Sequence, residues 1–87
     1  MDMNMNLENI LHQLVEEKKF RKLRSILEEM NEVDIAEFLE EIDKEKVVLI
    51  FRLLPKALGA EVFACLEVDM QEHIINSMSD YELQRIV

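Results

Sequence analysis

The apolar positions of this chain superimpose on themselves at one fixed offset, the step from Ile26 to Ile50 and again to Ile74. At that offset Leu27, Phe51 and Ile75 fall together, as do Met30, Leu54 and Met78. Phe38, Val62 and Ile86 follow, then Leu39, Phe63 and Val87, and Ala36-Glu37 falls on Ala60-Glu61. Inside each copy the apolar residues keep helical spacing, and alternation at period two is absent. A fixed period that spans two helices is the signature of an α-solenoid, in which each helix pair buries its apolar face against the next. A compact bundle needs no such register. The pattern therefore predicts an all-α chain of about seven short helices built on a two-helix, 24-residue repeat.

The helices can be placed in order. Leu7, Ile10, Leu11, Leu14 and Val15 mark the first, after a polar start over residues 1–6 that is expected to fray. Phe20, Leu23, Ile26, Leu27 and Met30 mark a second, beyond the charged break Glu16-Glu17-Lys18-Lys19. A third begins near Asn31, a residue suited to an N-cap, and carries Ile35, Phe38, Leu39 and Ile42. Asp43 is placed to cap a fourth, Lys44 to Leu54, whose middle is apolar all round and is expected to be the most buried. Pro55 fits the first turn of a fifth that reaches about Leu66, because a missing N–H costs nothing there. A sixth runs from about Val68 to Met78, and Ser79 with Glu82 has the spacing of a capping box that opens a seventh. In this register the third copy stops after its first helix, so the domain expected over residues 7–87 ends on an incomplete repeat and reads as a fragment or a dimerising piece.

Composition removes whole classes of function. The chain has 87 residues with one glycine, Gly59, and one proline, Pro55, too few turn formers for a sandwich or barrel and none for a glycine-rich phosphate loop. Nineteen acids against ten bases leave a net charge of −9, which disfavours nucleic acid and anionic membrane as partners. The longest apolar run, Val47 to Phe51, is far short of the roughly 20 residues that span a bilayer. The single cysteine, Cys65, lies beside Leu66 and near Phe63 and is expected to be a small core residue without redox use. His12 and His73 stand alone, without metal-ligand spacing around them, and are expected at the surface. No serine has a nucleophile's setting, and the chain is not expected to be an enzyme.

Three stretches resemble a known family. They are Leu27 to Met30 with Asp34 to Asp43, then Phe51-Arg52-Leu53-Leu54-Pro55-Lys56 with Ala60-Glu61-Val62-Phe63, and last Ser79 to Leu83. Together they make the chain similar to the N-terminal cytosolic domain of MgtE-type magnesium transporters, and the helix near Leu7 to Glu16 also fits that family's opening helix, so the resemblance covers residues 7–87. The helical pattern is shared with the middle domain of the flagellar motor switch protein. The transporter resemblance implies a right-handed superhelix of short helices on the cytoplasmic side of the cell membrane. It implies CBS domains and a membrane domain of the same full-length protein as partners, and a homodimer. It further implies that Mg2+ bound between this domain and the CBS domains favours the closed pore. Magnesium keeps several waters, so one or two carboxylates per domain suffice, and carboxylates repel once the ion leaves.

Under this resemblance Glu61 is the first choice as a Mg2+ ligand, since it stands in the Leu-Pro-Lys…Ala-Glu-Val motif where the family's glutamate lies. An exposed helix glutamate, like Glu37 one repeat earlier, is the plain alternative. Residues Glu28 to Glu45 carry nine acids and one base, and Glu37, Glu40, Glu41 and Asp43 form a possible acidic interface or an ordinary solvated face. The basic cluster Lys18, Lys19, Arg21, Lys22 and Arg24 stands against the overall charge. With one aromatic, Phe20, it lacks the interleaving of a nucleic-acid site; it is an ordinary solvated face, or it offsets the acids that follow or meets an acidic partner. Gly59 inside a helix costs about 1 kcal/mol against alanine and marks a close backbone approach or a weak spot. The competing reading is a helical protein-interaction module, flagellar-switch-like or a free-standing adaptor.

Overall fold

A computed structural model describes the backbone of residues 3–86 and the side chains of residues 7–78. Every element among the described residues is helical. The order is α1 (Met3–Glu16), α2 (Phe20–Leu27), α3 (Glu32–Glu41), α4 (Lys44–Phe51), α5 (Lys56–Cys65) and α6 (Val68–Ile86). The sequence period reappears in the helix limits. α4 starts and stops one full period after α2, α5 does the same after α3, and α6 starts one period after α4. Helices that are equivalent in the repeat pack on one another, α3 against α5 and α4 against α6, while α1 lies on α2. Stacking along one direction gives an elongated body of 50 × 26 × 22 Å.

The repeat is kept because each copy buries the same stripe. Leu27, Ile35, Leu39, Ile50, Val62 and Ile74 have essentially no exposure, and Leu11 and Leu23 extend the core into α1 and α2. No polar or charged side chain is buried among the described residues. The core is therefore a thin apolar spine, and all the chemistry lies on its outside. Breaks between helices have local causes. The Asn31 side chain accepts from the N–H groups of Val33 and Asp34 at 2.9 and 3.1 Å, capping α3. Pro55, one period later, stands at the N-cap of α5 and disfavours a helical conformation for the residue before it, so α4 ends before Leu54.

Several expectations are corrected. There are six helices among the described residues, not seven: α6 continues through Ser79 to Ile86. Ser79 stands one period after Pro55 but nothing beside it forces a break, and a serine is tolerated inside a helix. α4 stops at Phe51, and it is not the most buried element, since Leu49 is 47% exposed while Val48 and Phe51 are half-buried. A short helix touching neighbours on two sides cannot hide a surface that is apolar all round. Cys65 is exposed, because it ends α5 off the stripe carried by Val62 and Leu66. Pro55 precedes α5 and does not lie in its first turn. At the other end, α1 begins at Met3, within the segment expected to fray. Exposure of Ile10 at 45% shows the stripe of α1 to be narrower than its apolar sequence.

Gly59 is buried in α5 with a helical, negative φ. A Cβ there would meet Phe51 Cζ at 3.8 Å and Leu54 Cβ at 3.9 Å, which is ordinary contact. No close backbone approach requires the glycine.

Candidate functional site

The five carboxylates singled out in the sequence do not come together at one place. Glu61 is exposed on α5 and occupies the repeat position that Glu37 holds on α3. Glu37 lines a shallow cleft between α1 and α3 together with Glu8 and Asp34, over a floor of Leu11 and Phe38. Glu41 and Asp43 line a second cleft, with Glu16, His12 and Lys46. Glu40 has a different task. Its Oε2 accepts from the backbone N–H of Glu67 at 2.8 Å, tying the end of α3 to the residue before α6. A carboxylate at a helix start satisfies a donor that the helix cannot and meets the positive end of its dipole.

The second cleft contains residues that local spacing does not reveal. His12 Nε2 lies 3.9 Å from Glu41 Oε1, and the imidazole edge rests on Phe38 with centroids 5.1 Å apart. Lys46 Nζ approaches Glu16 Oε1 at 3.4 Å, a pair 30 residues apart in sequence. Only the packing of α1 beside α3 and α4 brings these groups together. His73 is likewise half-buried, and its Nε2–H donates to the carbonyl of Lys44 at 2.8 Å, joining α6 to the start of α4. Asp43 precedes α4, yet its carboxylate makes no capping bond and remains open to solvent.

The ionisation of Glu17 is shifted. The Gln13 amide, donating at 3.0 Å, and then the Lys19 ammonium at 3.2 Å hold its carboxyl below the usual range. Glu17 closes α1 at a turn with an unusual backbone. Lys18 N–H donates to Val15 O and Lys19 N–H to Leu14 O, the bond pair of a Schellman motif, with Lys18 at φ 59°. Glycine is the usual occupant of that position, and a lysine there costs roughly 1 kcal/mol.

Among the described residues no group of three or more His, Cys, Asp or Glu side chains is disposed to hold a metal ion. The described surface offers separate exposed carboxylates in two shallow acidic clefts and on α5, and a basic turn at the end of α1. Such a surface can share hydrated cations with a facing protein or dock against charged partners.

A protein-family model described as the MgtE intracellular N domain matches residues 30–87, the span from just before α3 to the end of the chain. No curated protein and no solved structure matches the chain.

Proposed function

Since the chain belongs to the MgtE intracellular N domain family, we propose that it is the cytosolic magnesium-sensing domain of an MgtE-like magnesium transporter. The single observation that carries this reading is the family match, whose span contains Glu37, Glu40, Glu41, Asp43 and Glu61. The family is one of transport regulation and not of catalysis. In this reading the acidic face docks on CBS domains of the same full-length protein through Mg2+, and the docked state favours a closed pore. The full-length protein is a homodimer with this domain on the cytoplasmic side of the cell membrane.

The residues fit half of a shared site. Magnesium accepts one or two carboxylates from each side and keeps waters in its remaining positions. The described residues hold no three-ligand group, so they do not assemble a complete site by themselves. Glu40 is committed to the Glu67 N–H, and Glu41 faces His12. Of the five candidates, Glu61, Glu37 and Asp43 remain exposed without an ion pair among the described residues, and these three are open to an ion held against a second domain. Bound Mg2+ would supply the positive charge that lets two acidic surfaces approach. Without it these same side chains repel an acidic partner, and the domain swings away.

The test uses the full-length protein under limited proteolysis across a magnesium titration. Glu61→Ala is expected to leave the fold intact and to move protection to higher magnesium. Unchanged protection removes Glu61 from the ligand set. Calorimetry on the 87-residue chain alone is expected to show weak binding. Micromolar affinity for that chain would contradict a shared site.

A further inference from the structure

Half of the bases in this acidic chain, five of ten, lie between Lys18 and Arg24. Two of them have local partners, Lys19 with Glu17 at 3.2 Å and Arg24 with Glu28 at 3.1 Å. Lys18, Arg21 and Lys22 are exposed and form no ion pair among the described residues, although Glu16 and Glu17 precede them in the chain. The cluster therefore does more than offset neighbouring acids. Lys18, Lys19, Phe20, Arg21, Lys22 and Ser25 line one open depression, and Ser25 Oγ donates to the Arg21 carbonyl within it. Lys18 also stands at a left-handed backbone position that glycine would occupy without strain. An uncommon non-glycine conformation at the start of a charged patch in which Lys18, Arg21 and Lys22 form no ion pair among the described residues points to a use for that side chain. All of these residues precede the span matched by the family, so the cluster is independent of the magnesium reading.

We propose that the α1–α2 turn and the outer face of α2 form a docking surface for a carboxylate-rich segment of a protein partner. The outer face of α2 carries Arg21, Lys22, Arg24 and Ser25, while its opposite face is committed to the core through Leu23 and Leu27. Charge is thus presented on a firm, short platform. The chemistry selects a protein over other polyanions. None of the large apolar side chains exposed on the described surface lies in residues 18–25, so the patch has no group to insert into a bilayer. Phe20 is half-buried and single, which gives no stacking ladder for bases. The net charge of −9 repels any extended anionic surface beyond the patch. A protein segment meets the patch locally, and salt screens the remaining charge beyond about 8 Å at physiological ionic strength.

The whole 87-residue protein is titrated by fluorescence anisotropy against a labelled helical peptide of glutamate and alanine. Anionic vesicles and single-stranded DNA are run in parallel. Binding to the peptide is expected at low salt and should weaken at least about tenfold between roughly 50 and 300 mM salt, because exposed pairs are screened. Lys18→Gly relieves the backbone, so its melting temperature is expected to rise while peptide affinity falls about threefold to fivefold, the share of one exposed pair. Arg21→Ala with Lys22→Ala is expected to reduce affinity further without changing helix content. Unchanged peptide affinity in Lys18→Gly, no peptide binding at low salt, or tighter binding of vesicles or DNA than of the peptide would each overturn the proposal.

Discussion

Replacing Gly59 by alanine is expected to stabilise the domain, because the glycine is a weak spot within a packed helix. Gly59 sits in the interior of α5 with a helical φ, so a side chain is not strained there. Removing the backbone freedom of glycine from a helix interior is worth about 1 kcal/mol. The added methyl meets Phe51 Cζ at 3.8 Å and Leu54 Cβ at 3.9 Å, neither of which must move. Full burial of such a group adds up to about 0.8 kcal/mol, and the open groove beside it, lined by Ala60 and Met78, reduces this to roughly half. The sum is about 1.4 kcal/mol. For a domain of this size that corresponds to a rise in melting temperature of roughly 6–11 °C. Circular dichroism melts of the two proteins, with urea titrations to separate midpoint from slope, read it directly. A melting temperature that stays level or falls would refute the reasoning. It would mean that α5 packs closer to its neighbours than these contacts allow, and that the glycine is needed.

Three further outcomes follow from particular contacts. Asn31→Ala removes the acceptor of two N–H bonds at the start of α3 and should cost about 1 kcal/mol by urea unfolding, whereas Asn31→Asp should be nearly neutral. Glu40→Ala should cost about 0.5–1.5 kcal/mol and speed amide exchange at Glu67 and the first turn of α6; unaltered exchange at Glu67 would show that the Glu40 bond holds nothing. Glu17 has its carboxyl held low by Gln13 and then Lys19, so its charged form is favoured in the folded state. Its contribution to stability is present above the ordinary carboxylate pKa and is lost as pH falls through the lowered value. Gln13→Ala should move the NMR titration of Glu17 back up toward the ordinary range, and a titration that does not move would exclude the Gln13 bond as the main cause.

The repeat that α2 to α5 follow was legible in the amino-acid order, and the reason is mechanical. When equivalent helices stack, each must present its apolar stripe at the same phase, and α2 with α4, and α3 with α5, keep that phase from one copy to the next. Caps were legible where a residue's local chemistry decides the backbone, as at Asn31, and near Pro55 to within one position. Ser79 was misleading for the same reason, since a capping side chain favours a break but does not compel one, and α6 runs on. Of the candidate site, the acidic character was legible and its distribution was not. Glu40 looked like its neighbours Glu37 and Glu41, yet it alone reaches a backbone N–H 27 residues away.

Sequence by itself determined an all-helical chain, its period, its acidic surface and the odd basic turn, because these depend on spacing and on charge, which are linear properties. The tertiary structure decided which apolar residues are covered. Leu27 is sealed, its equivalent Phe51 is half-buried and Ile75 is 53% exposed, although the repeat makes the three equal. Burial depends on what lies next along the stack, and that changes from the middle of the body to its end. It also decided which carboxylates remain open. Glu41 is answered by His12 and Glu40 by the Glu67 N–H, while Glu37 and Glu61 face solvent. Partners across helices are set by how neighbouring segments pack, and no spacing along one helix contains that information.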